Sequence, residues 1–153
     1  MNERSIQHST FVIERTYSAS PARVFTAWAN PEAKARWFPK ADEFDFRVGG
    51  REFNSSEHAG AIFTYDARYQ DIVPGQRIAF TYTMDRNEMR ISISVATVEF
   101  RKIDTGTQLI YTEQGAYLDG LDNPELREHG TRQLLDALDE ALQSGAIPAE
   151  THS

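Results

Sequence analysis

Residues 123–143 have the sequence NPELREHGTRQLLDALDEALQ, and this stretch decides how the chain must fold. Asn123 and Pro124 are typical of a helix start, because an Asn side chain caps free backbone N–H groups and Pro fits the first turn. Apolar residues follow at helical spacing, namely Leu126, Leu134, Leu135, Ala137, Leu138, Ala141 and Leu142. At ~1.5 Å per residue the predicted helix is roughly 30 Å long. A long helix with one apolar face needs a broad apolar surface to pack against.

The chain ahead of this helix is predicted to supply that surface as an antiparallel β-sheet. Residues 10–18, TFVIERTYS, are rich in β-forming side chains that alternate between two faces, and predict a first strand. Six further strand candidates lie at residues 44–47, 52–56, 61–73, 77–84, 88–102 and 107–114. Short turn sequences such as Pro74-Gly75 separate them, and connections this short join antiparallel neighbours.

Two short helices are predicted between the first strand and the others. Ser20-Pro21 and Asn30-Pro31 each combine a capping residue with a proline suited to a first helical turn, and the second helix is expected over residues 31–38. The predicted fold class is α+β, with a curved antiparallel sheet around the C-terminal helix and two short helices closing its open end. We predict one domain over residues 10–145, with flexible ends at residues 1–9 and 146–153.

Composition argues against several classes of function. The chain of 153 residues has 16 basic and 23 acidic residues, and its net charge of −7 argues against nucleic acid as a partner. It has no cysteine, which excludes disulfides, thiolate catalysis and cysteine-ligated metals. No segment has the apolar run of a signal peptide or a membrane span, so we expect a cytoplasmic protein that does not bind membranes.

The order of these segments is similar to that of a known superfamily. The residues that carry the similarity are Ser20-Pro21, Val24-Phe25, Trp28, Asn30-Pro31, Trp37-Phe38-Pro39, the Gly49-Gly50 turn after residues 44–47, and residues 111–115, YTEQG, before the last helix. Over residues 10–143 the chain resembles the helix-grip superfamily of START, SRPBCC and Bet v-like domains. Within it, the chain resembles the bacterial relatives of the C-terminal domain of the activator of heat-shock protein 90 ATPase.

The resemblance implies a fold rather than one function, because the superfamily includes lipid and hormone carriers, polyketide cyclases and aromatases, and co-chaperones. It also implies a cavity between the long helix and the concave face of the sheet. The aromatic candidates for its walls are Trp28, Trp37, Phe63, Tyr65, Tyr69, Tyr82 and Tyr111. Rings with polar tips suit a flat ligand of mixed polarity, although the same residues also fit an ordinary core.

Four polar residues are further candidates for ligand contacts: His58, Glu113, Arg127 and His129. If Glu113 points inward, it needs a partner such as Arg127, or a raised pKa that would suit acid–base chemistry; if it points outward, it is a solvated charge. His129 lies beside Gly130, a residue that is costly inside a helix and can leave room for a ligand. His129 is then either a base or donor at the cavity mouth or an exposed histidine.

The sequence contains no motif for a metal site or a nucleophile. The four histidines lack metal-ligand spacing, and no GxSxG, P-loop or dinucleotide glycine pattern occurs, so we expect neither a metal nor a cofactor. Ser92 and Ser94 alternate with Ile91, Ile93 and Val95, which fits either a solvated sheet face or a wet cavity.

We therefore predict a protein that binds a small hydrophobic or aromatic ligand in this cavity. Two alternatives stay open: a cyclase, dehydratase or isomerase that moves protons with polar cavity residues, and a co-chaperone-like module that binds another protein. The long strand at residues 88–102 is also a candidate edge strand, through which two copies of the chain would pair as a homodimer.

Overall fold

The structure is a computed structural model that describes residues 4–147. In chain order its elements are β1 (Ile6–Tyr17), α1 (Pro21–Ala29), α2 (Pro31–Lys34), β2 (Glu43–Phe44), β3 (Arg51–His58), β4 (Ala61–Val73), β5 (Arg77–Arg86), β6 (Met89–Ile103), β7 (Gly106–Leu118) and α3 (Pro124–Gln143). The predicted α+β fold, with two short helices after the first strand and a long helix at the end, is confirmed.

The seven strands form one antiparallel sheet in the order β1-β7-β6-β5-β4-β3-β2. Register shifts interrupt the β4–β5 ladder between Tyr69 and Asp71 and the β5–β6 ladder between Met84 and Asp85. Such bulges bend strands and increase their twist, which curves the sheet around its inner face. That concave face receives the helices.

The helix α3 lies across this concave face. Asn123 caps it, because its side-chain oxygen accepts hydrogen bonds from the backbone N–H groups of Glu125 and Leu126. Halfway along the helix, the Tyr17 hydroxyl of β1 donates to the carbonyl oxygen of Leu135 at 3.0 Å. The core lies between helix and sheet and includes the fully buried Leu135 and Leu138. Of the described helices, none is long and apolar enough to cross a membrane.

The ordered domain extends beyond both predicted ends. Pairing between β1 and β7 begins at Ile6 and Leu118, so residues 6–9 belong to the sheet rather than to a flexible end. Near the other end Ile147 is buried, and the Arg23 guanidinium donates to the carbonyl oxygens of Leu142 and Ile147. Residues 1–3 and 148–153, which were also predicted to be flexible, lie outside the described residues.

Three further boundaries differ from the sequence prediction. The helix α2 has four residues instead of eight, because the chain turns after Lys34 and then buries Trp37. Strand β2 has two residues, since the chain leaves the ladder after Asp45, whose N–H still donates to the carbonyl oxygen of Arg51, and makes the tight turn at Gly50. Strand β6 lies between β5 and β7, so the prediction that it forms a sheet edge is wrong; a homodimer stays a prediction.

Candidate functional site

A cavity of about 270 Å³ lies between α3 and the concave face of the sheet. Pockets that bind small molecules usually measure about 300–1,000 Å³, so this cavity suits a small ligand. Six of the seven aromatic candidates line it: Trp28, Trp37, Phe63, Tyr65, Tyr82 and Tyr111. The seventh, Tyr69, is buried beside Glu52 and is not part of the lining.

The aromatic wall is held by contacts among its own rings. The Trp28 and Trp37 rings meet edge to face with centroids 4.7 Å apart, and the Tyr65 and Tyr82 rings lie 4.9 Å apart. The indole N–H of Trp37 donates to the carbonyl oxygen of Ala27 at 3.0 Å. These contacts fix ring orientations before any ligand arrives, which reduces the entropy lost on binding.

Arg127 carries the polar end of the cavity nearest the start of α3. Its guanidinium donates to the Tyr82 hydroxyl at 2.9 Å, to Ser92 Oγ at 3.0 Å and to the Asp122 carboxylate. It also lies 3.6 Å from Glu113 Oε2. The side chains of Ser92 and Ser94 are therefore buried rather than solvated, and neither is part of the cavity lining.

Glu113 lies behind the aromatic wall. It is 0% exposed, and its two carboxylate oxygens accept hydrogen bonds from Tyr82 at 2.7 Å and from Tyr111 at 2.6 Å. Of its two predicted orientations, the structure has the inward one with Arg127 as partner. Glu113 is not part of the lining, so it acts on the cavity by orienting the two tyrosines. We call Arg127, Glu113, Tyr82, Tyr111, Asp122 and Ser92 the Arg127 cluster.

Burial fixes the protonation states around Arg127. It raises the pKa values of Tyr82 and Tyr111 well above 10, so both hydroxyls stay protonated and donate to Glu113. Burial alone would lower the pKa of Arg127, but the neighbouring carboxylates of Asp122 and Glu113 oppose this effect, and the pKa is raised overall. The guanidinium therefore remains a cation in the cavity wall.

A second polar group lies where α2 meets β3. Lys34 Nζ donates to Glu52 Oε1 at 2.7 Å, and the Tyr69 hydroxyl donates to the same oxygen. The ammonium also lies 4.4 Å from the centre of the Phe38 ring. Lys34 and the neighbouring Asn54 line the cavity. We call Lys34, Glu52, Tyr69 and Asn54 the Lys34 cluster.

The two predicted histidine contacts are absent from the cavity lining. His129 is exposed on the outer side of α3, so the prediction that it lies at the cavity mouth is wrong. His58 is exposed at the end of β3, where it lines a separate, more polar depression beside the start of α3. Gly130, next to His129, does line the cavity, and a Cβ added there would meet no atom within 4 Å.

Sequence reasoning missed the Lys34 cluster. Lysine and glutamate are almost always exposed, so nothing in the pattern of α2 or β3 pointed to a buried pair. One weak signal was available: Glu52 and Asn54 occupy the same face of a strand, and Phe53 the other. In the structure the polar pair faces inward, and Phe53 packs against the guanidinium of Arg51 instead.

A curved antiparallel sheet that grips one long helix, with a cavity between them, defines the helix-grip class of proteins. The model of the family described as Activator of Hsp90 ATPase homolog 1-like protein matches residues 18–143. The chain belongs to this family, as the sequence resemblance predicted. A comparison with curated proteins found no match.

Several solved structures are similar to this chain over nearly their full length. An uncharacterized protein from Rhizobium leguminosarum is 43% identical with a TM-score of 0.88, over 94% of this chain and 99% of that one. The Mll3558 protein from Rhizobium loti is 49% identical with a TM-score of 0.84, over 89% and 98%. Protein CV1439 from Chromobacterium violaceum is 28% identical with a TM-score of 0.73, over 86% and 94%.

Proposed function

We propose that the protein binds a small hydrophobic or aromatic molecule in the cavity between α3 and the sheet. The observation that carries this proposal is the lining, in which aromatic and aliphatic side chains form most of the wall and a few polar groups interrupt it. Such a lining gives affinity through apolar burial and orientation through the polar groups. Arg127 and Tyr82 are the polar groups at one end, and Lys34 and Asn54 those at the other.

The catalytic alternative has less support. Glu113 lies behind Tyr82 and Tyr111, and His129 is exposed, so neither predicted acid–base group reaches the cavity. Proton transfer requires a group within hydrogen-bond reach of the substrate or one water away. Arg127 is in place to stabilise negative charge, but a cation alone binds a substrate oxygen equally well without chemistry.

An interaction module is the second candidate function. Ile93 and Val95 are alternate residues on the outer face of β6 and are 46% and 44% exposed. Neighbouring exposed apolar side chains are a common feature of protein-binding surfaces. The family description suggests an Hsp90 partner. Calorimetry with purified Hsp90, using Val95→Lys as the variant, tests this candidate: binding that Val95→Lys weakens supports it.

A cavity-filling variant tests the ligand-binding proposal. Native mass spectra of the purified protein first reveal any small molecule that co-purifies with it. Calorimetric titration with a neutral aromatic probe, 2-acetylnaphthalene, then gives an affinity. Gly130→Leu places a side chain in the open space beside Gly130 and also favours the helix, so we expect a folded protein with at least about tenfold weaker binding.

Gln133→Leu is the matched control, because Gln133 is exposed on the same helix and does not line the cavity. We expect this variant to bind the probe with wild-type affinity. Equal affinities for wild type and Gly130→Leu would place the probe elsewhere and overturn the proposal.

A further inference from the structure

We propose that the ligand is a neutral molecule with a carbonyl group, and that the Lys34 cluster together with Trp28 binds this carbonyl. The inference rests on the proposed ligand-binding function and specifies the class of ligand. It follows from the hydrogen-bond donors and from the charges around the cavity.

Three side chains of the lining have donor capacity left over. Asn54 is 5% exposed, and its Nδ2 has no hydrogen-bond partner within residues 4–147. The same holds for the indole N–H of the buried Trp28. Lys34 Nζ has three N–H donors, of which one goes to Glu52. A buried donor without an acceptor destabilises a protein, so a ligand that supplies an acceptor gains affinity here.

Two contacts of Lys34 relate these donors to one another. Glu52 and Asn54 are alternate residues of β3 and therefore face the same side of the sheet, and Glu52 accepts from Lys34. The ammonium of Lys34 lies 5.6 Å from the Trp28 ring centre. Oε2 of Glu52 also has no partner within residues 4–147, but Glu52 is not part of the cavity lining. The three free positions in the lining are donors, so the complementary ligand group is an acceptor such as a carbonyl oxygen.

The charges favour a neutral acceptor over a carboxylate. The cavity is flanked by two cations, Lys34 and Arg127, and each already contacts carboxylates, which are Glu52 for Lys34 and Glu113 and Asp122 for Arg127. When all five side chains are ionised, two positive charges thus face three negative charges. An anionic ligand would add a fourth negative charge to a buried site, whereas a carbonyl adds none.

Three probes of similar shape test the inference by calorimetry: 2-acetylnaphthalene, 2-isopropylnaphthalene and 2-naphthoate. For the wild-type protein we expect the ketone to bind about three- to tenfold more tightly than the hydrocarbon, the range of one neutral hydrogen bond, and more tightly than the carboxylate. Asn54→Leu removes the donor and should reduce the preference for the ketone over the hydrocarbon.

Thr131→Val is the matched control. Thr131 also lines the cavity, but its hydroxyl already donates to the carbonyl oxygen of Arg127 at 2.9 Å, so its removal should leave the ketone preference unchanged. The comparison of the three probe affinities for the wild-type protein tests the inference even if Asn54→Leu fails to fold. Tighter binding of the hydrocarbon or the carboxylate in wild type would overturn this inference alone. Failure of all three probes to bind would instead overturn the proposed function.

Discussion

The Arg127 cluster and the Lys34 cluster contain the same kinds of side chain, but they differ in how many of their buried polar atoms have a hydrogen-bond partner. Each joins a cation and a buried carboxylate with tyrosine hydroxyls, two in the Arg127 cluster and one in the Lys34 cluster. In the Arg127 cluster both oxygens of Glu113 accept a tyrosine hydrogen bond. In the Lys34 cluster both donors share Oε1 of Glu52, and within the described chain Oε2 has no partner. One carboxylate is fully hydrogen-bonded and the other is not.

This difference separates a cluster that mainly holds the fold together from one that has donors left for a ligand. The Arg127 cluster connects α3 to β5, β6 and β7 through side chains that satisfy one another, so it fixes the helix over the sheet. The Lys34 cluster leaves Nδ2 of Asn54 without a partner in the cavity wall, where a ligand can supply an acceptor. Incomplete polar networks are costly, and proteins retain them mainly at functional sites.

The largest effect is expected from Lys34→Met. This change leaves the carboxylate of Glu52, which is 1% exposed, buried without a cation, and we expect the free energy of unfolding to fall by about 3–5 kcal/mol. Urea denaturation measures it. The double variant Lys34→Met/Glu52→Leu should recover most of this loss, because it removes both buried charges. A loss below about 1 kcal/mol for the single variant would show that Glu52 does not depend on Lys34.

A smaller loss is expected from Arg127→Met, about 2–3 kcal/mol. Glu113 keeps both tyrosine donors in this variant, and the Asp122 side chain is 17% exposed and can be hydrated. Arg132→Met is the control on the same helix, because its ion pair with Glu128 is partly exposed to solvent and should contribute less than about 1 kcal/mol. If Arg127→Met costs more than Lys34→Met in urea denaturation, the ranking of the two clusters is reversed.

Tyr117, which packs against Arg127, makes the free energy of unfolding depend on pH. Its ring centre lies 5.4 Å from the Arg127 guanidinium, and burial raises its pKa from 10 to about 12. Between pH 10 and 12 the unfolded chain has lost this proton while the folded protein keeps it. The contribution of Tyr117 to the free energy of unfolding is therefore complete below pH 10. Above pH 10 it falls by about 1 kcal/mol per pH unit.

Tyr117→Phe should make this decline shallower by a similar amount. Urea denaturation of both proteins at pH 9, 10 and 11 measures the difference. Lysine deprotonation is common to both chains and cancels in the comparison. Parallel declines for the two proteins would mean that Tyr117 titrates in the folded protein as it does in the unfolded one.

The fold was predictable because its signals are local and repeated. Asn123 and Pro124 start α3 as predicted, and the 61–73 strand has its predicted limits. The Lys34 cluster was not predictable, because a buried lysine has no signature in its own segment and meets Glu52 only once α2 packs against β3. The face of Ser92 was also undetermined, since its partner Arg127 lies 35 residues further along the chain.

Helical periodicity could have predicted which side of α3 carries Arg127 and which carries His129. Arg127 precedes the buried Leu135 and Leu138 by 8 and 11 residues, which places it on the same face of a helix with 3.6 residues per turn. His129 precedes them by 6 and 9 residues, which places it on the other side. The presence of Gly130 favoured His129 as a candidate, although Gly130 itself faces the cavity.

His129→Ala is accordingly expected to have the smallest effect. The side chain is exposed and outside the cavity lining, so the free energy of unfolding should change by less than about 0.5 kcal/mol. The affinity for 2-acetylnaphthalene should equal that of the wild type, whereas Gly130→Leu, one residue away, should reduce it. A loss of affinity in His129→Ala would mean that the bound protein rotates or opens α3. In that case the polar contacts of the Arg127 cluster would not hold the helix in place during binding.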